Sequence, residues 1–137
     1  MSAVEYLSLE PALRPLLNKF YRSHGSAMRT SSGAALWVAR EGEIVAVLNL
    51  RPVSGGQWLT GLLVAPEQRG KGLATQLLAH ALDQAESPTW LFCHPELASL
   101  YQRSGFSETA ELPASLEEKL QRYQRTKTLI ALVRSPR

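Results

Sequence analysis

The apolar pattern changes period once, between Gln57 and Leu82, and that change constrains the architecture more than any other feature. "QWLTGLLVAP" is apolar at most positions and ends in a proline, which reads as a strand. From Gly70 the spacing becomes helical. Leu73, Leu77, Leu78, Ala81, Leu82 and Ala85 form one stripe, and Gln76, His80, Asp83 and Gln84 fall largely outside it. Ser87–Pro88 stops the helix. "TWLFCH" then follows as a short, nearly all-apolar strand of the kind covered on both faces. Two strands joined through a helix favour a parallel pair.

The remaining chain arranges itself around this unit. "AVEYLSL" (Ala3–Leu9) alternates as a strand does. "EPALRPLLNKFYRSHG" reads as a helix with Leu13, Leu16, Leu17 and Phe20 on one face, Pro15 in its first turn and Gly25 as its stop. Ser26–Gly33 is small and polar, hence a loop. "ALWVARE" and "IVAVLNLRPV" are joined by "EGE" as a hairpin, and "SGG" (Ser54–Gly56) turns the chain into "QWLTGLLVAP", completing an antiparallel meander. After "TWLFCH" come a helix, "PELASLYQRSG", stopped by Gly105; a strand, "FSETAEL"; a helix, "PASLEEKLQRYQ"; and a closing strand, "KTLIALVRS". The order β-α-βββ-α-β-α-β-α-β implies an α/β fold with a mixed α+β sheet, helices covering both faces. With 137 residues and no repeat, low-complexity tract or linker, residues 1–137 read as one domain.

Composition removes several classes. One cysteine, Cys93, excludes an intramolecular disulfide and a multi-thiolate zinc site. The three histidines (His24, His80, His94) have no ligand spacing, and Asp83 is the only aspartate, so no metal site is expected. A net charge of +3 suits an anionic ligand and is too weak to argue for nucleic acid. No apolar run approaches the ~20 residues that span a bilayer, and "MSAVEYLSLEP" lacks the pattern of a signal peptide, so no membrane partner is expected and the chain is read as cytoplasmic.

The junction "RGKGLA" (Arg69–Ala74) carries the chemistry. A helix start exposes backbone N–H groups without intrahelical partners, and the helix dipole adds positive charge there. Gly70 and Gly72 remove side chains that would hold an anion off, while Arg69 and Lys71 add charge, so the junction suits a phosphate or pyrophosphate. It is neither a P-loop nor a dinucleotide fingerprint. The alternative is a solvated basic turn whose glycines serve geometry alone.

"LLVAPEQRGKGLATQLL" resembles the acetyl-CoA motif of the GCN5-related N-acetyltransferases (GNAT), with Arg69, Gly72 and Ala74 at its fixed positions. "LASLYQRSGF" (Leu97–Phe106) resembles the same family's later helix, which carries a tyrosine and ends in Gly-Phe, and the element order is the family's order. The resemblance implies that the two parallel strands splay apart and that coenzyme A lies between them. It implies that backbone groups of Leu62, Leu63 and Val64 pair with the pantetheine arm, and that amides of Arg69, Gly70, Lys71, Gly72, Leu73, Ala74 and Thr75 hold the pyrophosphate.

The activity so implied is transfer of acetyl from acetyl-CoA to a primary amine on a small molecule or a protein, with no metal. The Val64 N–H would stabilise the oxyanion and Tyr101 would protonate the leaving thiolate; packing on the core is the other role open to Tyr101. The family's frequent asparagine seven residues before that tyrosine is His94 here. His94 could touch coenzyme or substrate, shuttle a proton, or cap the next helix. No carboxylate lies on "QWLTG", so the base is open among water, His24, Glu43 and His94. A non-catalytic coenzyme A-binding regulator on the same fold is the competing reading, and the resemblance is compatible with a monomer or a homodimer.

Overall fold

The computed structural model describes residues 3–30 and 32–136; Met1, Ser2, Arg137 and Ser31 of the polar loop lie outside the described residues. Among the described residues seven strands form one sheet in the order β1-β2-β3-β4-β5-β7-β6. They are β1 (Glu5–Leu9), β2 (Ala35–Glu41), β3 (Glu43–Val53), β4 (Gly56–Val64), β5 (Thr89–Cys93), β6 (Ser107–Glu108) and β7 (Ile130–Arg134). β1 to β4 are antiparallel neighbours, β4 and β5 are parallel, and β7 lies antiparallel between β5 and β6. The meander and the parallel pair expected from the patterning are both present.

Among the described residues four α-helices cover the sheet: α1 (Arg14–Ser23), α2 (Leu73–Leu82), α3 (Ala98–Gln102) and α4 (Ala114–Tyr123). Alternation along the strands assigns their faces. Ala46, Leu48, Leu59, Leu91 and Leu132 pack with Leu77 and Leu78 of α2 and Tyr101 of α3. The opposite face carries Val38 and Val47 against Leu17, Phe20 and Tyr21 of α1, and Trp58 and Trp90 against Leu116 of α4. Asp83, just past α2, accepts a hydrogen bond from the largely buried Arg134 at 3.0 Å and ties the end of that helix to β7.

Three expectations are corrected. The first helical segment opens as a 3-10 turn, Pro11–Leu13, and becomes α-helical only at Arg14. This turn rotates the apolar stripe, so Leu17, Phe20 and Tyr21 are buried while Leu13 and Leu16 are 39% and 47% exposed. "PELASLYQRSG" likewise opens as a 3-10 turn, Pro95–Leu97, before α3. "FSETAEL" forms a strand only over Ser107–Glu108. Past it the Thr109 hydroxyl accepts from the Glu111 N–H at 3.0 Å, a local turn that draws the chain off the sheet.

Candidate active site

The site begins where β4 and β5 part. Their register pairs only Gln57 with Thr89 and Trp58 with Trp90; beyond Trp58 the strands run on side by side without pairing, and a gap opens between them. Which backbone groups face that gap follows from two hydrogen bonds. The Gln57 N–H donates to Pro88 O at 3.0 Å, toward β5, whereas the Ala65 N–H donates to Val45 O at 2.8 Å, toward β3. Residues eight apart in a regular strand point to the same edge. An odd residue must therefore be inserted between them.

That residue is at the register shift, where Leu48 of β3 opposes both Gly61 and Leu62. Gly61 has φ +66°, the left-handed conformation of a glycine bulge. The insertion exchanges edges and faces together. Leu62 and Val64 turn their N–H and C=O groups into the gap and their side chains onto the α2 face, while Leu63 turns to the α1 face. Without the bulge the Val64 amide would be spent on β3.

The far wall of the gap is the β4–α2 junction. A 3-10 turn at Pro66–Gln68 leads through extended Arg69 to Gly70 (φ +82°) and Gly72 (φ +77°). Both glycines occupy the left-handed region, and a Cβ at either would meet nothing within 4 Å, so the space beside them is open. The first helical bond of α2 runs from the Gln76 N–H to Gly72 O at 3.1 Å. The N–H groups of Leu73, Ala74 and Thr75 are thus free of intrahelical partners. Lys71 turns aside, its Nζ donating to Gln68 Oε1 at 3.0 Å.

These elements bound a cleft of about 650 Å³. Leu62, Leu63 and Val64 line one side, and Arg69, Gly70, Gly72, Leu73, Ala74 and Thr75 line the end; every cofactor-site residue named from the sequence is here except Lys71. Gln68 and, from the α3 region, Leu97, Leu100 and Arg103 also line it. Gln68 lies in "LLVAPEQRGKGLATQLL" and the other three in "LASLYQRSGF", but none of them stands at a position that the motifs fix. Arg103, like Arg69, lines the cleft, with its Nε donating to Ser99 O at 3.4 Å.

Tyr101 lines the same cleft from α3, 8% exposed, its ring edge-on to Phe106 at 5.9 Å. The ring packs on the core and the residue also borders the cavity. Burial, with a smaller contribution from the neighbouring Cys93, pushes its pKa up to about 12. The hydroxyl keeps its proton throughout the physiological range. Cys93 itself is buried, and burial followed by the charge of Glu108 pushes its thiol up as well.

His94 does not line the cleft. Its Nδ1 accepts from the Glu96 N–H at 3.1 Å and caps the turn that precedes α3. His24 packs edge-on to Phe20 at 4.6 Å, and Glu43 borders a separate groove beside α1. Among the described residues no carboxylate or imidazole borders the cleft, and no group of three or more His, Cys, Asp or Glu side chains could hold a metal ion. No described helix is long and apolar enough to cross a membrane.

Residues 32–108, more than half of the chain, match the family described as acetyltransferase (GNAT) domain. No curated protein matches the sequence. Several solved structures share the fold. A GNAT-family acetyltransferase from Staphylococcus aureus Mu50 is 14% identical with a TM-score of 0.66, covering 98% of this chain and 100% of its own. The ribosomal-protein-S18-alanine N-acetyltransferase of Escherichia coli is 19% identical with a TM-score of 0.69, covering 97% and 94%. N-acetylglutamate synthase from Neisseria gonorrhoeae, in complex with coenzyme A and L-arginine, is 18% identical with a TM-score of 0.73; the match covers 99% of this chain and 34% of that one.

Proposed function

Since the chain belongs to the GNAT acetyltransferase family, we propose that it transfers acetyl from acetyl-CoA to a primary amine of a small molecule or protein. The observation that carries this reading is the β4 bulge, which turns the Leu62 and Val64 amides into a cleft ending at the free N–H groups of α2. A pantetheine arm can pair with those strand amides as an added strand would. A pyrophosphate fits the helix start, where Arg69 adds charge. The N. gonorrhoeae relative was solved with coenzyme A bound, which supports the same ligand here.

In this reading a neutral amine attacks the thioester carbonyl, forming the C–N bond and a tetrahedral oxyanion held by the Val64 N–H. Collapse breaks the C–S bond. Tyr101 gives its proton to the departing thiolate and recovers one from solvent. The proton lost by the amine goes to water, because among the described residues no carboxylate or imidazole borders the cleft.

The absence of a carboxylate also favours testing the rival reading, a protein that binds coenzyme A without turnover. The deciding experiment is thiol release from acetyl-CoA across a panel of polyamines, amino acids and peptides. Steady release with at least one amine supports the enzyme. Its rate is expected to rise with pH as the amine loses its proton, and then to stay level to pH 10, because Tyr101 remains protonated until about pH 12. Coenzyme A binding without release for any amine would establish the rival. A falling limb centred below pH 10 would remove Tyr101 as the acid.

A further inference from the structure

The bulge that opens β4 is held from behind by a buried polar pair. Tyr21, at the end of α1, is fully buried, and its hydroxyl donates to Gly61 O at 2.6 Å across 40 residues of sequence. Because a carbonyl only accepts, the Tyr21 oxygen must in turn accept from Asn49, which fixes that amide with Nδ2 toward it at 2.8 Å. Asn49 lies on β3 next to Leu48, the residue facing the bulge. Its Oδ1 is left buried with no partner among the described residues. A buried orphan acceptor is costly, yet here it accompanies a donor committed to Tyr21. A Cβ at Gly61 would sit 2.5 Å from the Tyr21 hydroxyl and 2.8 Å from Asn49 Nδ2, so the pair presses on the bulge itself.

We propose that Tyr21, supported by Asn49, is a positioning residue for acyl donor binding: it holds the Gly61 carbonyl on the α1 face and thereby keeps the Leu62 and Val64 amides turned into the cleft. Tyr21 does not line the cleft. It acts through the one inserted residue on which the edge of Val64 depends. The backbone of Tyr21 is anchored too, its carbonyl accepting from the Ser26 N–H at 2.9 Å, so the same residue joins the bulge to the start of the polar loop.

The inference rests on the coenzyme A reading, and the test separates the two. Tyr21→Phe keeps the ring and removes the hydroxyl, and Leu132→Ala, a fully buried site on β7, serves as a destabilised control. By calorimetry on the folded proteins, Tyr21→Phe is expected to weaken coenzyme A binding about tenfold, and Leu132→Ala less than about twofold despite its lower melting temperature. Asn49→Ala, which leaves the Tyr21–Gly61 bond, is expected to shift affinity in the same direction by less. Unchanged affinity in Tyr21→Phe, or a loss no greater than in Leu132→Ala, overturns the proposal. If the wild-type protein fails to bind coenzyme A, the functional reading falls and hydrogen exchange in the free protein decides the clamp. Exchange at Leu63 and Ala65, the amides tying β4 to β3 after the bulge, is then expected to quicken about tenfold in Tyr21→Phe relative to β2 amides. Equal exchange at those amides in variant and wild type overturns it.

Discussion

Gly72→Glu should leave the chain folded and reduce coenzyme A affinity at least about a hundredfold. Gly72 sits at φ +77° with open space where a side chain would go. Any L-residue there pays roughly 1–2 kcal/mol for the left-handed conformation, a cost that a domain with this core survives. The carboxylate has a second effect. It projects beside the free N–H groups of Leu73, Ala74 and Thr75, occupies the donors as an internal anion, and repels a pyrophosphate. Gly72→Ala separates the two contributions, since it carries the same strain without the charge, and should lose less than about fivefold in affinity. If calorimetry gives Glu and Ala variants of equal affinity, the glycines serve the turn alone and the junction is not an anion site.

Tyr101→Phe should act on turnover and spare binding. The ring packs on Phe106 and the core, and phenylalanine preserves that contact. Only the hydroxyl is lost, and with it the proton for the leaving thiolate. A positioned general acid contributes about 10²–10⁴ in rate, so kcat should fall at least about a hundredfold, with coenzyme A affinity and melting temperature close to wild type. A variant that turns over at the wild-type rate would make Tyr101 a packing residue. One that loses coenzyme A affinity in step with kcat would make it a wall of the binding site. The burial that raises its pKa is also the reason it retains a proton to give.

Much of this arrangement is legible in the sequence. The change of period after Gln57 requires a strand, a crossover helix and a second strand, and β4, α2 and β5 stand there. Gly70 and Gly72 were legible because glycine between a strand and a helix has a local meaning, and so was the apolar stripe of α2. The Tyr21–Asn49–Gly61 cluster was not, because its bonds join residues 28 and 40 positions apart. Its local traces were a lone glycine inside an apolar strand, which marks a bulge, and an asparagine in the apolar run of β3. Arg103 is not legible for a different reason: a single arginine just past a short helix carries no pattern, and only the fold brings it to the cleft that Arg69 also lines. The stripe of α1 was displaced because a 3-10 turn has three residues per turn rather than 3.6, a difference that apolar spacing over so short a segment does not register.

The central claim is that the gap between β4 and β5 holds coenzyme A through the backbone of β4. Amide-resolved hydrogen exchange of the wild-type protein with and without coenzyme A tests it most directly. The account predicts strong new protection at Leu62 and Val64, whose N–H groups face the gap, together with protection at Leu73, Ala74 and Thr75, and little change at Leu63, already paired to β3. Coenzyme A that bound without protecting Leu62 and Val64, or that protected a different strand, would contradict it.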